Sequence, residues 1–532
     1  MFTQAFSALM SHYRTDALEI PRPTGARRAR AESDALEALR REMTAMPLSE
    51  RLRNPEAYRA LQKRRREDLL SLLLADPVPD VLARVIDLIA MITEEITWSS
   101  NPQGMFFEDE SHPEIDVQSA ETAVLFAWAA HLLGERLDAS IVGRMRSEVR
   151  RRLFRPALIH DDYDFMRGDS ACPMVIAVDL LLSALLLEND ESRLGRLVRP
   201  TLKLLDECCG RHGRELAPLT ETVMDVSAAS DLVHLLRDMT RQYVDLSDSI
   251  PTGDWLDEIL YAWIQDDLFN DPAGNGMQPA LSGCDVFRIG EAANDGPLID
   301  LGAHLHHRNH LPPATVTGRL LEPSVSDRLE STFGKPQRLR YAALRNNLLM
   351  AARVPGLYCS MHVGGKRGNA GDVCLFADST PVLVDDGSRA SSHNLPAIAG
   401  REQLAIPSRP CIADFQVRDD QEMMSVDLTH AYPAACGLRS YQRTVLTLRA
   451  EHTVRIVDAL DLERPSTVSF RFITAVRPTI LTTAIRLGAV RMTWEGDFTV
   501  SADPLEGGLT RIEMIAVEPV RQAFFTFNFE RT

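Results

Sequence analysis

The stretch Arg443-Thr444-Val445-Leu446-Thr447-Leu448-Arg449 alternates so that Thr444, Leu446 and Leu448 share one face of a strand. Val468, Phe470 and Phe472 alternate in the same way with Thr467, Ser469 and Arg471. Segments of period two recur at 379–385, 443–449, 453–459, 466–473, 488–494, 510–516 and 522–529, parted by Gly, Pro and Asp, with no helical spacing between them. Such a run makes a large antiparallel sheet or sandwich.

Upstream of Pro312-Pro313 the period is different. Val81, Leu82, Val85, Leu88, Ile89 and Ile92 form one stripe of an amphipathic helix. Further helices are predicted at 56–75, 115–134, 137–153, 173–188, 192–209, 226–243, 254–267 and 296–309, several joined by short turns such as Leu133-Gly134-Glu135. One bundle core does not absorb so many helices, and no fixed repeat is visible, which favours a ring or irregular array of helical hairpins. The expected architecture is α+β and multidomain. An N-terminal extension covers 1–32, an all-α array 33–315, a linker 316–336 and an antiparallel β-domain 337–532.

The chain has 532 residues, 45% of them hydrophobic, and 58 basic against 75 acidic side chains give a net charge of −17. Wholesale disorder is excluded, and general binding to nucleic acid or to an anionic membrane is not expected. A polyanionic ligand would need a local basic cleft. The eight cysteines contain no CxxC, so neither a zinc ribbon nor a disulfide framework is suggested. The N-terminus lacks a basic leader followed by an apolar run, and Met174–Leu187 is interrupted by Asp179 and is shorter than the ~20 residues of a membrane span. A cytoplasmic protein with no membrane partner is expected; a homodimer is admitted.

Within 337–460 lie Asp372-Val373-Cys374-Leu375-Phe376-Ala377-Asp378, Pro381-Val382-Leu383-Val384-Asp385-Asp386-Gly387, Ser392-His393-Asn394, and Arg443-Thr444-Val445 followed by Val454-Arg455-Ile456-Val457-Asp458. These stretches resemble the C-terminal β-domain of the heparinase II/III-like polysaccharide lyases. The resemblance implies an (α/α) toroid followed by a β-sandwich, and β-elimination on a uronate-containing oligosaccharide or a related small acidic metabolite. Such chemistry needs a group that offsets the carboxylate, a base for the C5 proton and an acid for the leaving oxygen.

Carried onto this chain, the resemblance implies His393, Tyr163 and His362 as catalytic candidates. It implies Arg167, Lys366, Arg367, Asn394 and Asp169 as substrate-binding candidates, with one zinc at Asp385 and His393 and Asp372 or His362 as a further ligand. The chain departs from the family in three places. The upstream His-x-His-x-Asp-like cluster is replaced by 364–372, the family asparagine aligns with 168–171, where Asp169 stands, and the family tyrosine falls near Met224. The other function class is a non-catalytic glycan-binding or scaffold protein that keeps the lyase fold.

Three weaker features have bland readings. The run Lys63-Arg64-Arg65-Arg66 reads as a solvated helix face. Trp98 reads as core in preference to a sugar-stacking platform. His304, His306, His307 and His310, with no carboxylate or cysteine in register, read as cations at a helix C-terminus.

Overall fold

The computed structural model describes every residue except 1, 44, 101–108, 110, 169, 213–216, 248–252, 272–280, 345–346, 364–368 and 386–392. The chain divides into two compact units. The first holds Met1–Arg211, Glu221–Thr252 and Leu281–Pro336, and the second His212–Thr220, Gly253–Ala280 and Gln337–Thr532.

The first unit is built of helices. Its principal ones are α1 (Gly25–Arg40), α2 (Pro55–Leu74), α3 (Pro79–Thr93), α4 (Val117–Leu133), α5 (Ala139–Val149), α6 (Arg155–Ile159), α7 (Pro173–Leu187), α8 (Glu191–His212), α9 (Leu219–Met239), α10 (Gly283–Ala293) and α11 (Gly296–Asn309). Helices α4 and α7 pack together and are apolar on nearly every side; 13 of the 15 residues of α7 are buried. A helix that is hydrophobic all round belongs inside a large core, which is where Met174–Leu187 sits. No helix among the described residues is long and apolar enough to cross a membrane.

Helices α5 and α6 form one continuous rod through a π-turn at Arg150–Phe154. Pro156 supplies the cause: it has no N–H to give the carbonyl four residues back, and its ring would collide there, so the turn before it widens. The basic run on α2 is not wholly a solvated face. Arg65 and Arg66 are buried and both pair with Glu95, at 2.9 and 2.8 Å, with Gln62 donating to the same carboxylate. Trp98 is core, as expected: it is 1% exposed, and the Arg152 guanidinium lies 4.9 Å over its ring.

The second unit is dominated by antiparallel strands: β1 (Tyr341–Leu344), β2 (Leu349–Val354), β3 (Leu357–His362), β4 (Asp372–Ala377), β5 (Thr380–Leu383), β6 (Pro396–Ile398), β7 (Ile412–Val417), β8 (Gln421–Asp427), β9 (Leu438–Leu448), β10 (Thr453–Ser466), β11 (Val468–Thr474), β12 (Thr479–Ile480), β13 (Ile485–Leu487), β14 (Val490–Glu495), β15 (Phe498–Pro504), β16 (Thr510–Ala516) and β17 (Val520–Arg531). They form a five-stranded meander β1-β2-β3-β4-β5, a four-stranded sheet β15-β16-β11-β6 and an eight-stranded sheet β12-β13-β14-β17-β10-β9-β8-β7. One apolar core, running from Met350 through Phe470 to Phe529, joins all three.

On β9 the buried face carries Tyr441, Arg443, Val445 and Thr447. Arg443 is tolerated there because Asp458 of β10 accepts from its Nε and Nη2 at 2.7 and 3.0 Å, while Tyr441 donates to the same carboxylate at 2.7 Å. The helix expected at 254–267 stops at Ala262, where Trp263–Gln265 turns to pair with Leu268–Phe269. Tyr261, Ile264 and Leu268 pack with Leu344, Tyr358 and Phe376 in the second unit.

Candidate active site

Among the described residues, two groups of His and Asp side chains bring nitrogen and oxygen atoms within 4.8 Å of one another: Asp372, Asp385 and His393, and His112, His160 and Asp162.

The first group is in the second unit. Strand pairing sets Asp372 opposite His362, and the chain returns after β5 to place Asp385 and His393 against them. His393 Nδ1 lies 2.9 Å from Asp385 Oδ1 and 3.4 Å from Asp372 Oδ2. Burial opposes charge on the ring, but the two flanking carboxylates outweigh it and raise His393 to about 10. The imidazolium is therefore the stable form, and at 1% exposure it is a poor base for a substrate proton. The geometry of His393 is that of an ion-pair partner.

His362, also 1% exposed, closes the end of β3 inside the unit. Asn394 ties three stretches of backbone together. Its Nδ2 donates to the carbonyls of Val373 and Val384 at 2.9 and 3.0 Å, and its Oδ1 accepts from the Ile473 N–H at 2.8 Å. Lys366, Arg367 and Asp169 lie outside the described residues. The site passes a test for a divalent ion. Among the described residues, Asp372 Oδ2, Asn369 Oδ1, His362 Nε2 and His393 Nε2 are buried without a hydrogen-bond partner, and the carboxylate and imidazole set is one that zinc accepts.

The second group is in the first unit and was not read from the sequence. Asp109 Oδ1 accepts from the N–H and Oγ of Ser111, and the Asp109 carbonyl accepts from the His112 N–H at 3.0 Å, a local turn that presents His112. Asp116, the N-cap of α4, locks the other end of that loop through a capping box with Ser119. Facing it, the connection from α6 to α7 carries His160, Asp162, Tyr163 and Arg167. His112 Nε2 is 2.9 Å from Asp162 Oδ1, and the His112 and His160 rings are 4.4 Å apart between centroids.

The two imidazoles have different partners. The hydrogen bond to Asp162 raises His112 above its ordinary value and lowers Asp162, which favours the imidazolium–carboxylate pair. His160 Nε2 is 3.0 Å from the Ser111 carbonyl, which can only accept. Nε2 therefore carries a proton, which leaves Nδ1 as the ring nitrogen turned away from that carbonyl.

Tyr163 is buried, its hydroxyl donates to the Pro113 carbonyl at 2.9 Å, and its ring lies 4.6 Å from that of His112. Through that bond it holds the loop that carries His112. Arg167 is exposed at the end of the turn Asp164–Arg167 and close enough to help lower Asp162. Gly168 ends that turn at φ +82°, and a Cβ there would meet Arg211 at 3.1 Å, so the position demands glycine.

Of the departures from the lyase pattern, Met224 lies against the N-cap of α7 in the first unit. Cys172 Sγ lies 4.0 Å from Met224 Sδ, and Asp225 accepts from the Val175 N–H of α7 at 3.1 Å. Burial pushes Asp225 up to about 8 and Glu121 up to about 7, and holds Asp179 well above the carboxylate range. The core of this unit thus carries three carboxylic acids whose charged form burial disfavours. His306 lies edge-on to His310, 5.3 Å between centroids, and burial with Arg27 nearby pushes it down to about 4. That makes it a neutral core residue and not a helix-terminal cation.

No protein-family model matches the chain, and no curated protein sequence matches it. Solved structures do. A Streptomyces coelicolor A3 chondroitin AC lyase, solved with chondroitin sulphate, is 12% identical and superposes with a TM-score of 0.58, covering 99% of this chain and 83% of that one. Heparinase III gives 10% identity and a TM-score of 0.58 over 99% of this chain and 89% of its own. A Paenibacillus xanthan lyase gives 10% and 0.58, with 100% of this chain and 60% of that chain covered. The chain has the fold of these polysaccharide lyases, a helical (α/α) toroid followed by an antiparallel β-sandwich, as the resemblance implied.

Proposed function

We propose that the protein cleaves a uronate-containing acidic oligosaccharide by β-elimination, with His160 as base and His112 as acid. The observation that supports this best is the pairing of two imidazoles, one hydrogen-bonded to the Asp162 carboxylate and the other to the Ser111 carbonyl, beside an exposed arginine, in a chain that follows the lyase fold along its whole length. Arg167 offsets the uronate carboxylate, without which the C5 proton is barely acidic. His160 Nδ1 takes the C5 proton, the freed electron pair forms the C4–C5 double bond, and the C4–O4 bond breaks. The leaving O4 takes a proton from the His112 imidazolium, which Asp162 has stabilised until then. The products are an unsaturated uronate end and a free hydroxyl. Positioned proton transfer of this kind is worth about 10²–10⁴-fold in rate.

In the same reading, Asp372, Asp385 and His393 hold one zinc ion in the second unit, and His393 gives up its ring proton on binding it. When bound, the ion would neutralise two buried carboxylates and clamp the start of β4 to Asp385 and His393; it takes no part in the proton transfers. The test is turnover of defined uronate oligosaccharides by wild type and by Arg167→Ala. The reading expects unsaturated product from wild type and a raised KM in the variant. Unchanged kinetics in Arg167→Ala would remove Arg167 from the mechanism.

A further inference from the structure

Six arginines fall within twelve residues on the rod made by α5, the π-turn and α6: Arg144, Arg146, Arg150, Arg151, Arg152 and Arg155. They are too spread out to read as a charge run in the sequence, but the fold gathers them. Glu148 is shared by Arg144, Arg151 and Arg152 at 3.1, 2.8 and 3.0 Å. Glu188, at the C-terminus of α7, is shared by Arg150 at 2.7 Å and by Arg193 of α8 at 3.5 Å, and Arg193 also reaches Asp190 at 3.5 Å. Arg146 donates to the Leu187 carbonyl at 2.6 Å.

Glu148 and Glu188 are buried, so their charge is consumed from below by several guanidinium groups at once. The seven arginines exceed by four the three carboxylates that pair with them. Arg152 points inward at 4% exposure, but Arg144, Arg151 and Arg193 have side chains 57, 44 and 48% exposed, and Arg155 is exposed as well. Residues 144, 151 and 155 recur at near-whole turns of the rod, so they lie along one face over about 16 Å. The rod ends at Ile159, and the next residue is His160.

In a chain of net charge −17, a positive stripe is a local reversal of field that draws in anions and aligns them. Guanidinium forks match carboxylate and sulfate oxygens in pairs. We propose that this stripe is an accessory binding track for an acidic polysaccharide, holding the part of a long chain that extends beyond the cleaved bond and leading it to His160. The assignment of the cleaved bond to His160 rests on the function proposed above, whereas the track itself is a binding claim. The track points to a polymeric substrate, which a site read without it would not require.

The test uses the triple variant Arg144→Ala, Arg151→Ala, Arg155→Ala, which leaves Arg152 on Glu148 and touches only exposed side chains. Retention on an immobilised long polyuronate is measured against salt, with KM on the same polymer and on a tetrasaccharide too short to reach the track. Three partly exposed charges lost together should raise KM on the polymer about tenfold and release the protein at lower salt. Values on the tetrasaccharide should stay as in wild type. Unchanged retention and polymer KM would overturn the track, and so would wild type holding single-stranded DNA as tightly as polyuronate. A wild type that forms no unsaturated product, yet whose retention falls in the variant, would keep the track and sink the lyase reading.

Discussion

His112 Nε2 stands 2.9 Å from Asp162 Oδ1, and the contact raises the one group and lowers the other. If the imidazolium is the proton donor, activity is present while His112 is protonated and is lost as pH rises through its raised pKa, above the ordinary imidazole value of about 6.5. Asp162→Asn removes the partner, so the alkaline limb of the kcat profile should move to lower pH. An unmoved limb would show that Asp162 does not set the proton state that limits turnover.

His393 is a prediction of the opposite kind. Wedged at 2.9 and 3.4 Å between two buried carboxylates, it is expected to govern stability and not rate. His393→Ala strands those charges, which costs about 3–5 kcal/mol for a broken buried pair. The melting temperature should fall while turnover of the folded fraction is kept. A kcat lower by about 100-fold with unchanged melting would return His393 to the catalytic machinery.

Zinc should stabilise the protein through the same residues. At a hundred times its dissociation constant a ligand of the native state adds about 2.7 kcal/mol, a clear rise in melting temperature. The rise should vanish in Asp372→Asn, and elemental analysis should find one metal per chain in wild type only. Equal rises in both proteins would place the ion elsewhere.

Arg443 and Asp458 make the buried pair on which β9 and β10 close, with Tyr441 and the carbonyls of Gly371 and Asn394 completing it. Asp458→Ala leaves a guanidinium without its counter-charge at 1% exposure, and should destabilise by about 3–5 kcal/mol. Chemical denaturation checks the value; a loss under about 1 kcal/mol would mean that Arg443 finds a new partner or water.

The alternating strands were legible because one of their faces is less buried: 453–459 and 510–516 lie within observed strands, and 443–449 overruns its strand by one residue. Strands β2, β3 and β4 were not, because almost every residue along them is buried and period two disappears. Helix α10 escaped for lack of a long stripe, its apolar residues interrupted by Gly283, Asp285, Arg288 and Gly290. At the site, Tyr163 and Arg167 were visible as a motif, and Asp385 with His393 as another. His112 and Asp162 are 50 residues apart and meet only when α4 and α7 pack, so no local signal joins them. The Asp109–Ser111 turn in front of His112 was the one available cue.

The most direct test of the central claim is the ultraviolet absorbance of unsaturated uronate, followed on a panel of uronate oligosaccharides in the presence of a chelator. Wild type should give a rising trace on at least one member. His160→Ala and His112→Ala, each folded by its melting curve, should lower the rate by at least about 100-fold. A flat trace for wild type across the panel, or variants as fast as wild type, would contradict the account.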